Sequence, residues 1–295
     1  MNNWFEVIVV DNYSDDNRLN EFISLFRQVR FIENCGNFGF SRGCNVGAAN
    51  SKGDFILFLN ADIIISEQTL FELVNSKKSH SLFSVLSCKH IGVTGKEEQI
   101  SRLFPDLTTI FGFTRAIKRL FGSKSSINSV PISEVDWVSG SVLLIDTPTF
   151  KKINGWDERL WLYYEDVDIC KRVNKSGGKV GILKNTTVVH NHGGSTRINI
   201  QTTSLTKTEV IISLHVYIKL HFSSFKAFSM HFLVIFKEMI GRIIPVLLSF
   251  PFFFIPKLVL YRNIFFKLIQ YYFSAIINRT WISPRSVKYK EYCRR

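Results

Sequence analysis

Three absences bound this sequence before any motif is read. Its 295 residues contain 5 cysteines, at positions 35, 44, 88, 170 and 293, with no CxxC pair and no Cys/His run of zinc-site spacing. An odd count without such spacing excludes a fully paired disulphide framework and a structural zinc. The thiols read as buried or incidental ones in a reducing compartment. Acidic residues are scarce in the last third: residues 201–295 hold 14 Lys/Arg against 3 Asp/Glu, whereas residues 1–200 hold 23 against 21. A long uncharged span is also missing. The longest in that third, residues 243–256, is fourteen residues long and includes Pro245, Pro251 and Pro256, too short for a helix across about 30 Å of hydrocarbon. Met1 is followed by no basic n-region and apolar h-region, so the catalytic part is expected in the cytoplasm.

What the last third does contain is equally uneven, since it carries 12 of the 27 Phe. A basic, aromatic and apolar segment fits helices lying on an anionic membrane surface, peripheral on the inner face of the cell membrane. An ordinary helical pack or a dimerisation surface is the alternative. No recognition helix with polar base-reading residues accompanies the charge, so nucleic acid is not an expected partner. The expected organisation is an α/β domain over residues 1–200 and a basic, Phe-rich helical extension over residues 201–295.

The α/β domain is organised around GDFILFLNAD at residues 53–62. Phe55 to Leu59 carry no charge, as suits a strand buried on both faces of a parallel sheet, and Asn60-Ala61-Asp62 ends the run in a carboxylate. Ligands of open α/β sheets bind at that strand edge, where an Asp can hold Mg²⁺ or Mn²⁺ against a diphosphate; it can equally be a helix cap or turn former. FEVIVV at residues 5–10 leads likewise into Asp11-Asn12. Leu19, Phe22, Ile23 and Phe26 then have the spacing of a crossover helix, and residues 29–32 read as a strand. The loop over residues 34–47 has four Gly and three Asn, so its backbone can approach a ligand closely, and a helix entered near Ser41 offers amide donors to an anion.

Further along, LFSVLSC reads as a strand and residues 107–121 as an amphipathic, Phe-rich helix. Asp136-Trp137-Val138-Ser139-Gly140-Ser141 enters an apolar strand over residues 142–145, with Gly140 leaving room for a backbone or a sugar. Residues 150–156 make a short helix closed by Asn154-Gly155. Aromatics at Trp161, Tyr163 and Tyr164 precede Glu165-Asp166, and the next helix pairs Asp168 with Arg172 at i,i+4. Rings beside a carboxylate can stack on a sugar and raise its basicity; alternatively Glu165 and Asp166 complement the helix dipole. A strand over residues 179–183 follows, then Thr187-Val188-Val189 leading to His190 and to Gly193-Gly194-Ser195, whose amides suit a phosphate. Residues 205–222 and 227–242 read as helices, with the three prolines interrupting the next apolar run.

In their order, VVDNYSDD, NCGNFGFSRGCNVG, GDFILFLNAD, VDWVSGSVLLI and LWLYYEDVDICKRV resemble the family 2 glycosyltransferases, particularly the rhamnosyltransferase-like members. The resemblance implies the nucleotide-sugar-binding GT-A fold, a mostly parallel sheet flanked by helices, here with a membrane-associating helical extension. It implies a nucleoside diphosphate sugar donor, a saccharide or lipid-linked acceptor, and Mg²⁺ or Mn²⁺ held by Asp62 and His190. It implies Asp166 as the catalytic base. Substrate-binding positions are implied at Asp11, Asn12, Asn37, Gly39, Asn45, Asn60, Trp137, Gly140, Trp161 and Glu165. Two departures stand beside it. Asn60 occupies the first place of the family's double-acid motif, and the strand that relatives carry before the VVDN block is not seen. A non-catalytic, membrane-associated scaffold that keeps the fold is therefore the alternative function.

Overall fold

The computed structural model describes residues 4–14, 18–109, 131–191 and 199–293. β1 (Ile8–Asp11) and β2 (Arg30–Glu33) pair in parallel, with Ile8 opposite Arg30. Between them α1 (Leu19–Leu25) has the expected spacing but buries none of its residues. The pair forms a sheet of its own, too narrow to cover that face. The second sheet has six strands: β3 (Phe55–Leu59), β4 (Ile63–Ile64), β5 (Phe83–Gly92), β6 (Ile132–Val135), β7 (Val142–Asp146) and β8 (Lys179–His190). Their order is β3-β7-β5-β8-β4, with β6 also on β8.

The expectation of a mostly parallel sheet is corrected here. Among the described residues only β5 and β8 run parallel in the large sheet, while β3–β7, β5–β7, β4–β8 and β6–β8 are antiparallel. An apolar run such as FILFL is half-buried or buried in either arrangement, so periodicity does not report strand direction. Leu59, the last residue of β3, is exposed, which departs from burial on both faces. Among the described residues no strand joins β1 to β3.

One face of the large sheet packs under α2 (Phe40–Ala49), α4 (Thr147–Lys152) and α5 (Glu165–Lys175), around Trp156. Phe40 and Phe58 meet that indole edge-on, at ring centroids of 5.5 and 5.0 Å. The other face holds Leu73 of α3 (Glu67–Ser79). Ser66 and Asp146 cap α3 and α4 by accepting from the Thr69 and Thr149 amides. Asn154 and Gly155 close the short α4 segment at φ of 60° and 66°, as the turn pair requires.

The chain then continues as α6 (Ile200–His221), α7 (Ser224–Leu248), α8 (Pro256–Ile277) and α9 (Val287–Cys293). Pro245 does not interrupt the apolar run as expected: it lies inside α7, and Val246 after it is buried. Near a helix end a proline removes one backbone bond, and packing of the last turn offsets that. α6 is fastened to the α/β part by Ser213, whose hydroxyl donates to the Leu162 carbonyl at 2.8 Å, and by His221, 2.8 Å from Asp168. The expected helix over residues 107–121 lies mostly outside the described residues, as do Gly193, Gly194 and Ser195.

Asn45 clasps α2 to the turn after α4. Its side chain donates to the Trp156 carbonyl and to Glu158, at 2.9 and 3.0 Å, and accepts from the Trp156 amide at 2.9 Å. Asn45→Ala leaves both main-chain groups of Trp156 unpaired in the core, and is expected to cost about 2–3 kcal/mol in urea unfolding.

Candidate active site

The carboxylate end of the site is built by an unusual helix start. Tyr163 and Tyr164 are both left-handed, at φ of 69° and 63°, a conformation that costs of order 1–3 kcal/mol for each non-glycine residue. Three contacts hold them: the Ser213 bond to Leu162, the Tyr164 ring 5.7 Å from that of Tyr217, and the Asp168 amide donating to the Tyr164 carbonyl at 2.8 Å. The turn places Glu165 and Asp166 side by side in the first turn of α5.

Asp166 accepts from the Gly140 amide at 3.3 Å and from the Val167 amide at 2.8 Å. A side chain on Gly140 would meet Trp156 at 3.3 Å, Phe40 at 3.4 Å and Asp166 at 3.6 Å, so glycine is what lets this amide reach the carboxylate. Burial pushes the Asp166 carboxyl up to about 6, and the two amides only partly oppose it. Glu165 is buried, one of its oxygens has no hydrogen-bond partner, and burial followed by the Asp166 charge raises it well above the usual range. Asp168 is occupied elsewhere, 2.6 Å from Arg172 and 2.8 Å from His221.

The second cluster forms where β8 ends. β4 sets Ile63 opposite His190, and the Asn191 amide donates to the Asp62 carbonyl at 2.8 Å. His190 Nε2 is thereby 3.4 Å from Asp62 Oδ2, while its Nδ1 is 2.9 Å from Glu98 Oε2. The ring of His90 stands edge-on to His190 at 5.8 Å. Ligand atoms of His90, Glu98 and His190 lie within 4.8 Å of one another. Carboxylate oxygens with imidazole nitrogens and no thiolate suit Mn²⁺ or Mg²⁺, and a carboxylate on Nδ1 fixes the tautomer that offers Nε2 to a cation. Sequence reasoning missed His90 and Glu98. His90 had a signal, because it nears the end of an apolar strand as His190 does, and β5 and β8 are parallel neighbours. Glu98 had none, since it sits in the segment after β5.

Residues 139–141 tie the two clusters together. Gly140 holds Asp166, Ser141 accepts from the Asn60 amide at 3.0 Å, and its hydroxyl is 2.8 Å from that of Ser139. The remaining sequence-predicted positions divide into two groups. Asn12 donates to the Gly39 carbonyl at 3.0 Å and accepts from Asn34 at 3.1 Å, and Asn37 accepts from the Gly39 amide at 3.2 Å. Gly39, at φ of 91°, leaves no space for a side chain against the Trp161 carbonyl, which accepts from the Phe40 amide at 2.9 Å. The Trp161 indole donates to the Asn37 carbonyl at 3.3 Å. Asn12, Asn37, Gly39 and Trp161 thus form one connected wall. Asp11 closes its own turn by accepting from the Ser14 amide and hydroxyl. Asn45 and Trp137 point to main-chain partners instead, Trp156 and the Leu103 carbonyl.

The fold thus assembles two polar groupings beside residues 139–141, the half-buried Asp166 and the cluster of His90, Glu98 and His190. The comparisons with known proteins give the family. Residues 2–131 match the description "Glycosyl transferase family 2", and residues 126–193 match "N-terminal domain of galactosyltransferase". Rhamnosyltransferase WbbL of Escherichia coli K12 is 30% identical over 182 residues, covering 59% of this chain and 67% of that protein. The N-acetylglucosaminyl-diphospho-decaprenol L-rhamnosyltransferase of Mycobacterium tuberculosis is 24% identical over 209 residues, covering 64% and 67%. Among solved structures, GalNAc-T7 with UDP, GalNAc and Mn²⁺ aligns with a TM-score of 0.48 at 17% identity, over 70% of this chain and 41% of that one. Staphylococcus aureus TarS aligns with a TM-score of 0.47 at 20% identity, over 73% and 34%. The chain belongs to glycosyltransferase family 2, among its rhamnosyltransferase-like members.

The raised Asp166 has a consequence for stability. Its carboxyl binds a proton more tightly folded than unfolded, so the stability this group contributes is fully present below its ordinary value of 3.8 and is lost as pH rises through about 6. Buried Glu165 adds to that fall. Thermal unfolding followed between these values is expected to show a shallower decline for Asp166→Asn than for the unchanged protein.

Proposed function

We propose that this protein is an inverting glycosyltransferase of GT-A type. It moves a sugar, rhamnose by likeness to its relatives, from a nucleoside diphosphate sugar to a saccharide or lipid-linked saccharide in surface polysaccharide synthesis. The observation that carries the reading is Asp166, ionised at neutral pH yet more basic than an ordinary aspartate, and held by two amides. It takes the proton of the acceptor hydroxyl as that oxygen attacks the anomeric carbon and the bond to the diphosphate breaks. One base and one displacement invert the carbon. Glu165 and the Trp161 ring orient the acceptor. Asp11 contacts the base or ribose of the nucleotide, and the loop from Asn37 to Asn45 shapes its pocket.

Asp62 and His190, with Glu98 fixing the imidazole, would hold Mg²⁺ or Mn²⁺, which when bound offsets the charge growing on the diphosphate. The name of the mycobacterial relative specifies a diphospho-decaprenol acceptor, which supports a lipid-linked acceptor here and work at an anionic membrane surface through residues 201–295. No described helix is long and apolar enough to cross a membrane. The non-catalytic scaffold is the second reading because one observation favours it: among the described residues no strand joins β1 to β3.

Calorimetric titration with UDP, dTDP and GDP, with and without Mn²⁺, separates the two. The transferase reading expects cation-dependent binding of one nucleotide that Asp62→Asn abolishes; a folded protein that binds none of them sinks it. Once the donor is known, Asp166→Asn is expected to lower kcat by about 10²–10⁴ while nucleotide binding stays unchanged. For the unchanged enzyme kcat/KM should rise with pH through about 6.

A further inference from the structure

α7 has two apolar faces, and the fold uses only one. Ala227, Met230, His231 and Val234 turn inward, where the first, second and fourth pack with Ile211 and Ile218 of α6 and Ile264 and Leu268 of α8. On the opposite face Phe228, Phe232, Phe236, Ile240, Ile244 and Leu247 stand 71, 58, 54, 51, 69 and 62% exposed. Their spacing of four, closing with three, is one continuous helix row, roughly 30 Å long at the helical rise. The row runs into the turn between α7 and α8, where every residue from Phe250 to Ile255 is exposed. Phe254 meets the rings of Phe252 and Phe253 there, ring edge to ring face.

The margins of this surface are cationic. Residues 224–277 contain six Lys/Arg and a single acid, Glu238, which is already paired with Arg242 and Lys237. On the helical wheel Lys226 and Lys237 fall together on one flank of the Phe row and Arg242 on the other. Lys257 is exposed at the start of α8, and Arg262 lies 5.8 Å from the Phe250 ring. An apolar strip bordered by cations matches the boundary between acyl chains and anionic headgroups. A second copy of the same surface would bring like charges together along both flanks.

We propose that the α7–α8 hairpin is a monotopic membrane face, lying in the plane of an anionic bilayer. The Phe row and the turn at residues 250–255 enter the acyl boundary, and the exposed Lys226, Lys237 and Lys257 meet the phosphate groups. This deepens the membrane part of the proposed function and rests on it. The face is rigidly connected to the base: α6 packs on the hairpin with one side and reaches Leu162 and Asp168 beside the active site with Ser213 and His221. Bilayer contact therefore sets the height and tilt of Asp166 above the lipid surface, where the hydroxyl of a lipid-linked acceptor is presented.

The test is sedimentation of the full chain with phosphatidylcholine vesicles, with and without phosphatidylglycerol. Binding is expected with the anionic lipid. Phe232→Gln with Phe236→Gln, and separately Phe253→Gln with Phe254→Gln, should each weaken it at least about tenfold, since each pair withdraws two aromatic side chains from burial. Lys226→Gln with Lys237→Gln should weaken binding to the anionic vesicles and steepen no dependence on the neutral ones. A Phe253→Trp variant should gain an indole emission that brominated acyl chains quench. Failure of the folded chain to sediment, or equal binding by the Phe variants, overturns the proposal. So does a dimer in sedimentation velocity that the Phe232/Phe236 variant dissociates, with no vesicle binding. Nucleotide titration of the same samples keeps the two readings apart: lost nucleotide binding with intact vesicle binding removes the transferase reading alone.

Discussion

The hydrogen bond from the Gly140 amide to the Asp166 carboxylate is the contact around which the site is assembled. It requires α5 to start within reach of the turn before β7, and the two left-handed tyrosines are the backbone cost of that start. It also requires a residue with no side chain at 140, because Trp156 and Phe40 fill the space beside it. The same burial that makes the contact short of water makes the carboxylate more basic. Burial and backbone strain thus fall together at the start of one helix.

The second cluster depends on a different constraint, the unusual length of β8. The strand begins at Lys179, supports β5, β6 and β4 in turn, and ends at His190. β6 occupies the first half of its free edge and the two-residue β4 the second half. That division is what brings Asp62, which follows β3, to a histidine more than a hundred residues later. Glu98 then fixes the imidazole from its other nitrogen, so that the ring is oriented before any ligand arrives.

The helical third is joined to this machinery by few but buried contacts. Asp168 has no part in the proposed proton transfer, yet it takes an ion pair from Arg172 and a bond from His221. Arg172 in turn donates to the carbonyls of Ile153 and Gly155. At the far end of the chain Arg285 lies over the Trp161 ring and Ser286 donates to the Glu158 carbonyl. Trp161 and Glu158 are thereby held by the segment between α8 and α9.

Much of the local structure was legible because it rests on short-range rules. The spacing in FILFL, the Asn154-Gly155 stop, the Asp168–Arg172 pair and the helix after Gly39 follow from alternation, caps and i,i+4 geometry, which need no knowledge of distant residues. The ordered motifs likewise determined the family. Strand direction was not legible, since a buried strand looks the same whichever way its neighbours run. Nor was the role of Glu98, whose carboxylate acquires meaning only from the His190 ring placed beside it. The main-chain partners of Asn45 and Trp137 were not legible either, because they come from segments distant in the sequence. Composition by itself determined that the last third is basic and aromatic; only the tertiary structure decided which Phe side chains turn inward and which form an uncovered row. Which face of a helix is buried is set by its neighbours, and they are chosen by packing over the whole chain.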